Sequence, residues 1–95
     1  MQFEWDAVKA ATNLKKHGVS FDEAVTVFSD SLACIFDDEW HSIGENREII
    51  IGYSVQRRIL MIIFTERSHD VVRIISARTA TSTEVKKHEE QATKF

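Results

Sequence analysis

Five arginines occur between residues 57 and 78, on two apolar segments that the polar residues Arg67 to Asp70 divide. The segments are rich in Ile, Val, Phe and Met, a composition that predicts a β-hairpin at the centre of a sheet. Buried arginine is costly unless a partner neutralises it, and the guanidinium fork matches two phosphate oxygens at once. We therefore expect a sheet surface that receives anionic groups, formed by Arg57, Arg58, Arg67, Arg73 and Arg78.

Three further titratable residues could move protons, and each also has a structural interpretation. His17 and His88 are candidates because histidine exchanges protons near neutral pH. His17 would equally suit the carbonyl end of a helix dipole, and His88 could pack the last helix on the sheet. Glu66 is either a general base or a partner that holds Arg67 or Arg47, since a carboxylate beside arginine has a lowered pKa and is a poor base.

The arginines have structural alternatives as well. Arg73 and Arg78 would bind phosphate or form ion pairs, within the sheet or with glutamates of the last helix, and the two interpretations carry about equal weight. Arg67 would bind phosphate or cap a turn. No group of His, Cys or acidic residues has convincing metal-ligand spacing, so no metal or cofactor is expected. Cys34 is the only cysteine, which excludes an internal disulfide and fits a reducing compartment.

Length and composition indicate one globular domain over residues 1–95. No apolar run approaches the roughly 20 residues that cross a bilayer, and the first residues do not resemble a signal peptide, so a cytoplasmic protein is expected. The net charge of −3 is unevenly distributed. Residues 22–48 carry eight carboxylates and only Arg47, whereas the hairpin is basic, and this division permits a local basic surface.

Capping residues predict three helices. Asp6 is suited to begin the first helix and Gly18 to end it. Ser20 and Glu23 form the pattern of a capping box for a second helix that ends near Asp30. Thr81 and Glu84 repeat that pattern and predict a last helix through about Ala92.

Four strands complete the predicted fold. Leu32–Phe36 and Arg47–Ser54 precede the hairpin, Val55-Gln56 predicts a tight turn, and the segment from Trp40 to Asn46 has no period and predicts a loop. The order is two N-terminal helices, a four-stranded antiparallel meander and a C-terminal helix, an α+β domain.

The predicted register assigns side chains to the two faces of the sheet. One face would carry Arg47, Ile49, Ile51 and Tyr53 beside Arg58, Leu60, Ile62 and Phe64, and beside Val72, Ile74, Ser76 and Arg78. The other would place Arg73 near Thr65 and Glu48, on a shallow, half-polar surface suited to extended nucleic acid. A slip of one residue would exchange the faces.

Several segments together resemble the BrnT toxin family. They are Phe3-Glu4-Trp5-Asp6, Lys9, Asn13, Lys16 to Phe21, Glu23-Ala24, Gly52-Tyr53-Ser54, Thr65-Glu66-Arg67, Ile74 to Arg78, Glu84 and Glu89-Glu90. They follow the order of the family over nearly the whole chain. The resemblance implies a fold similar to the RelE ribonucleases. One position departs from the pattern, because His88 stands where BrnT sequences often have Tyr before Glu-Glu.

The resemblance further implies a small endoribonuclease toxin of a type II toxin-antitoxin system, which arrests growth by cutting RNA. A ribbon-helix-helix antitoxin similar to BrnA would neutralise it and would supply the DNA binding of the complex. Metal-free cleavage needs a base for the 2′-hydroxyl proton, cations for the transition state and an acid for the 5′-oxygen. The candidates for these roles are His17, Glu66, Arg67, Arg73, Arg78 and His88. The alternative is a non-catalytic interaction module of the same fold, with structural arginines.

Overall fold

The computed structural model describes residues 1–38 and 45–92, with the side chain of Ala92 excepted. The strands are β1 (Gln2–Glu4), β2 (Cys34–Asp37), β3 (Glu48–Tyr53), β4 (Ile59–Ser68) and β5 (Val71–Thr79). The helices are α1 (Ala7–His17), α2 (Phe21–Thr26), which continues into a 3₁₀ turn (Val27–Ser29), and α3 (Ser82–Ala92). Most of the loop predicted from Trp40 lies outside the described residues. No described helix combines the length and apolar character needed to cross a membrane.

The sheet is mixed and has five strands in the order β1-β5-β4-β3-β2. The α+β class is confirmed, but the prediction of a four-stranded antiparallel meander was wrong by one strand. β1 pairs in parallel with β5, with Gln2 opposite Val71 and Glu4 opposite Arg73. A three-residue strand is too short to produce a readable alternation, and its partner lies about 70 residues away. The sequence near β1 therefore carries almost no signal for it.

The capping predictions are confirmed in the structure. The Asp6 carboxylate accepts hydrogen bonds from the backbone N–H groups of Val8 and Lys9, and Gly18 ends α1 in the left-handed region at φ 69°. Ser20 Oγ accepts from the Glu23 N–H at 3.0 Å. Thr81 and Glu84 form a reciprocal box, in which Glu84 Oε1 also accepts from the Thr81 N–H at 2.8 Å.

One face of the sheet, which we call the core face, packs against α1, α2 and the 3₁₀ turn. Its buried side chains meet Val19, Phe21, Ala24 and Val27 from the helical layer; those on the sheet are Ile50, Leu60, Ile62, Phe64, Val72, Ile74 and Ala77. Gly52 also lies on this face, and a Cβ there would come within 2.8 Å of both Ala33 Cβ and Asp30 Oδ2. The close approach of the 3₁₀ turn to β3 therefore requires glycine.

The predicted register between β3 and β4 was wrong by one residue. Glu48, Ile50 and Gly52 lie opposite Phe64, Ile62 and Leu60, so the predicted partners of Ile49 and Ile51 are on the other face. The cause is the turn. It is longer than the expected Val55-Gln56, with Arg57 at φ 62° and a hydrogen bond from the Ser54 N–H to the Arg58 carbonyl at 2.8 Å. Glu48 therefore faces away from Arg73.

A β-bulge in β5 brings Arg73 and Arg78 to the same face, although they are five positions apart in the sequence. Arg73 lies opposite Thr65 and Arg78 opposite Met61, with a shift in register between Ile63 and Phe64 that leaves Ile75 unpaired. We call this side the outer face. The prediction that the two arginines occupy opposite faces was wrong, because an unpaired residue reverses the alternation of every side chain beyond it.

Candidate functional site

Five of the six predicted site residues lie along β5. Arg73 and Arg78 belong to the strand, and Glu66 pairs with its residue Val72, with Arg67 next along β4. His17 lines a cleft with Ser76 of the same strand. His88 is separate, because it belongs to α3 and its side chain is buried. The structure thus places these five residues on β5 or beside it. They are spread over about 20 Å of the strand and do not meet at one point.

The side chain of Asn13 holds α1 against the edge of β5. β1 pairs with β5 only as far as Arg73, and farther along the edge Asn13 takes the place of a strand partner. Its Nδ2 donates to the Ala77 carbonyl at 2.8 Å and to the Val19 carbonyl at 2.9 Å, and its Oδ1 accepts from the Ala77 N–H at 3.1 Å. Asn13 is buried, so these bonds fix the distance between α1 and β5.

A cleft of about 250 Å³ lies between α1 and β5. Lys9, Lys16 and His17 line it from the helix, and Ser76 and Ile75 line it from the strand. His17 is half-buried, whereas both lysines are exposed. Two ammonium groups, an imidazole and a hydroxyl around one small cavity are the groups that bind a phosphate and exchange a proton with its neighbour. We call this the α1–β5 cleft.

Arg73 lies on the outer face of β5, near the N-terminus of α1. Its Nη1 donates to Glu4 Oε2 at 2.6 Å, so the guanidinium has a carboxylate partner on β1. The backbone N–H groups of Lys9 and Val8 lower the pKa of Asp6, and the charges of Lys9 and Arg73 lower it further. The Lys9 N–H donates to Asp6 Oδ1 at 3.0 Å, and Arg73 pairs with Glu4, two residues before Asp6.

Arg78 is held by a carboxylate more completely than Arg73 is. Its two terminal nitrogens donate to the two carboxylate oxygens of Glu84, each at 2.8 Å, a bidentate pair that connects β5 to α3. This contact raises the pKa of Arg78. Burial acts to raise the pKa of Glu84, but Arg78 and the Thr81 N–H together lower it.

Arg58 belongs to a third and more buried ion pair. Its guanidinium donates to both carboxylate oxygens of Glu23 and also to the Gly18 carbonyl at 3.1 Å. Ser54 Oγ donates to Glu23 Oε2 at 2.7 Å. The Glu23 side chain is 2 % exposed and that of Arg58 is 36 % exposed. A phosphate would therefore have to compete with the Glu23 carboxylate for the Arg58 guanidinium.

Glu66 and Arg67 share a polar cavity of about 480 Å³ at the far end of β4 with Glu45, Asn46, Glu48 and Thr65. Arg67 Nη1 is 3.9 Å from Glu45 Oε2, and Arg47 Nε is 3.5 Å from Glu45 Oε1. Burial raises the pKa of Glu48, and the charges of Glu66 and Asp37 raise it further. An arginine and three carboxylates, of which Glu48 has a raised pKa, thus line one cavity.

His88 is buried, with 3 % of its surface exposed, between α3 and the sheet. Its ring meets the Tyr53 ring edge-on at 5.8 Å. Its Nε2 is 3.9 Å from Asp30 Oδ2 and has no hydrogen-bond partner among the described residues. A substrate could contact this imidazole only if α3 moved.

Three residues of the cleft did not stand out in the sequence. Lys9 and Lys16 lie at i and i+7 of α1; the dipole already explains a lysine in the last turn, such as Lys16, and Lys9 is a single lysine in the first turn. Ser76 has no distinguishing neighbour in the chain. The spacing of Lys9, Asn13 and Lys16 over one face of α1 is the signal that could have identified the cleft.

The fold and the cleft define a class: a small α+β protein with lysine and histidine side chains around a cleft at the edge of its sheet. Residues 5–84 match the family described as the ribonuclease toxin, BrnT, of type II toxin-antitoxin systems. The chain belongs to this family.

A solved structure supports the assignment. The ribonuclease toxin BrnT of Brucella abortus, determined by crystallography at 1.1 Å, is 27 % identical and superposes with a TM-score of 0.66. The match covers 86 % of this chain and 99 % of that one. No curated protein matches the chain significantly. The predictions of a BrnT-family ribonuclease toxin and of a type II system are confirmed.

Proposed function

We propose that the protein cleaves RNA without a metal ion, at the α1–β5 cleft. The observation that carries the proposal is the convergence of Lys9, Lys16 and His17 on Ser76 of β5. The 2′-oxygen attacks the adjacent phosphorus, the bond to the 5′-oxygen breaks, and a 2′,3′-cyclic phosphate forms. His17 takes the 2′-hydroxyl proton, and the lysines stabilise the charge on the non-bridging oxygens.

The remaining candidates act along the path of the RNA on β5. Arg73 and Arg78 contact phosphates on either side of Ser76, after exchange of Glu4 and Glu84 for phosphate oxygens. Glu66 and Arg67 receive the strand at the far end of the path, and the leaving 5′-oxygen takes its proton from water. His88, being buried, acts by holding α3 against the sheet. We also propose that the fold is related to that of the RelE ribonucleases.

Cleavage of a short RNA in excess EDTA tests the chemistry. We expect full activity, products with cyclic phosphate and 5′-hydroxyl ends, and no cut when the nucleotide at the scissile bond lacks its 2′-hydroxyl. His17→Gln should lower the rate about 10²-fold, the lower range for one proton-transfer group. His69→Gln is the matched control, because His69 is exposed in the β4–β5 turn. Products with 5′-phosphate ends, or activity lost in EDTA, would contradict the proposal.

The family implies an antitoxin partner, and we propose that it is a ribbon-helix-helix protein that binds DNA for the complex in the cytoplasm. α3 offers no basic recognition face, since it carries Lys86 and Lys87 among glutamates, and the basic face of α1 belongs to the α1–β5 cleft. The complex should shift an operator fragment in a gel, and the toxin alone should not. A shift by the toxin alone would overturn this part.

A further inference from the structure

The edge of β2 that faces away from β3 differs from an ordinary protected sheet edge. β2 is an end strand of the described sheet, with a neighbour on one side only. Leu32 and Ile35 are 51 % and 55 % exposed beside it. Sheet edges in soluble proteins are usually protected by lysine, proline or a covering element, because open backbone groups recruit further strands. Two large aliphatic side chains at such an edge indicate a surface that a partner covers.

A groove of about 690 Å³ runs along this edge. Residues 31–36 form one wall, and Gln91 of α3 reaches the groove from the other side. The amino group of Lys87 lies 5.8 Å from the centre of the Phe36 ring, so α3 is anchored beside β2. A backbone edge facing a helix leaves a slot of the shape that an extended peptide fills.

The charge around the groove favours a basic occupant over a second copy of this chain. The side chains that line the groove, residues 31–36 and Gln91, include no basic residue, and the acidic Asp37 follows them directly in the chain. Asp37 lies within β2 and is exposed. Antiparallel pairing of two β2 strands would bring these acidic segments together, and like charges across paired strands are unfavourable.

We propose that the edge of β2 and its groove bind an extended segment of the antitoxin, which adds a strand to the sheet. Its backbone pairs with β2, its apolar side chains cover Leu32 and Ile35, and its lysines or arginines face Asp37. The proposal rests on membership of a toxin-antitoxin family. It is independent of the α1–β5 cleft, which lies at the other end of the strand order.

Titration of the full chain with its cognate antitoxin tests the proposal. Ile35→Lys introduces a cation where a basic segment should dock, and we expect the Kd to rise about tenfold or more. Val55→Lys is the matched control, since Val55 is 73 % exposed in the β3–β4 turn. It should bind as the wild type does. The free Ile35→Lys protein should cleave RNA normally, so failure of docking and failure of the cleavage mechanism are distinguishable.

Cys34 provides a second readout, because it is the only cysteine and lines the groove. Burial and the nearby Asp30 raise the pKa of its thiol, so alkylation with N-ethylmaleimide is followed at mildly alkaline pH. The complex should alkylate about tenfold more slowly than the free toxin. Unchanged alkylation together with normal binding by Ile35→Lys would overturn the proposal. A dimer of the free toxin that Ile35→Lys dissociates would also overturn it, since the occupant would then be a second copy.

Discussion

The sheet arginines and the cations of α1 carry the same charge but differ in their partners. Arg73 and Arg78 each contact a carboxylate, Glu4 and Glu84, within 2.8 Å. Lys16 and His17 make no ion pair with the part of the chain that the structure describes. The paired arginines connect β5 to β1 and α3, whereas the cations of α1 are available to a ligand.

This difference matters for phosphate binding. A guanidinium in a bidentate pair can bind phosphate only if its carboxylate is displaced, and the displaced carboxylate then repels the incoming anion. An exposed ammonium gives up only water when it binds. The comparison predicts that replacing the cleft cations mainly lowers the rate of RNA cleavage. Replacing the arginines should mainly lower the stability of the fold.

The largest effect is expected at the most buried pair. Arg58→Ala would leave the Glu23 carboxylate buried with Ser54 as its remaining partner, and unpaired buried charges cost about 3–5 kcal/mol. Because Arg58 is itself about one-third exposed, we expect a loss of about 2–3 kcal/mol in the free energy of unfolding. Urea denaturation measures this value. The control Arg67→Ala, at an exposed pair, should change it by less than about 0.5 kcal/mol, and equal losses would contradict the ranking.

A somewhat smaller loss is expected for Asn13→Ala. The variant leaves the N–H and carbonyl of Ala77 and the carbonyl of Val19 without their side-chain partner. We expect a loss of about 2 kcal/mol, together with reduced cleavage because α1 is no longer fixed to β5. Lys15→Ala, at an exposed position of the same helix that does not line the cleft, serves as the control for stability. Retention of wild-type stability by Asn13→Ala would show that the edge of β5 tolerates open backbone groups.

A double-mutant cycle at Arg78 and Glu84 separates structural from catalytic use of an arginine. Both side chains are partly exposed, so we expect a coupling energy of about 1 kcal/mol or less. RNA cleavage by the same variants sharpens the comparison. If Arg78 also contacts phosphate, Arg78→Ala should lose more activity than Glu84→Ala, which only releases the guanidinium. Equal activity in both variants would show that Arg78 has a structural role only and does not contact phosphate.

The smallest effect is a dependence of stability on pH. Arg58 lowers the pKa of Glu23 in the folded state, although burial opposes the shift and Ser54 adds to it. A lowered folded-state pKa gives stabilisation that is complete above the unfolded value of about 4.5 and is lost as the pH falls through the folded value. The stability difference between the wild type and Glu23→Gln should therefore shrink as thermal melts move below pH 4.5. A difference that grows on acidification would reverse the assigned sign.

The helices and the fold class were predictable because their signals are local. Asp6, Gly18 and the box of Thr81 with Glu84 define helix ends within a few residues of sequence. The register was not predictable. It depends on Arg57 in a left-handed conformation and on an unpaired Ile75. Neither arginine nor isoleucine is a residue type that predicts such a backbone conformation. β1 is three residues long and pairs at long range, so it left no pattern.

The candidate site was predictable in its residues more than in its arrangement. Glu66 and Arg67 are neighbours in sequence and share a cavity, but the carboxylate recorded near Arg67 is that of Glu45. The meeting of Lys16 with Ser76 depends on the Asn13 contacts across 64 residues, which periodicity does not contain. The carboxylate partners of Arg73 and Arg78 likewise arise only in the folded chain.

The most direct test compares two adjacent lysines of α1. Lys16 lines the cleft and Lys15 does not, although both are exposed and their replacement by Gln changes the net charge equally. Cleavage of a short RNA under single-turnover conditions should fall about tenfold or more for Lys16→Gln, because a cation is lost at the scissile phosphate. It should change by less than about twofold for Lys15→Gln. Equal rates for the two variants would contradict the assignment of RNA cleavage to the α1–β5 cleft.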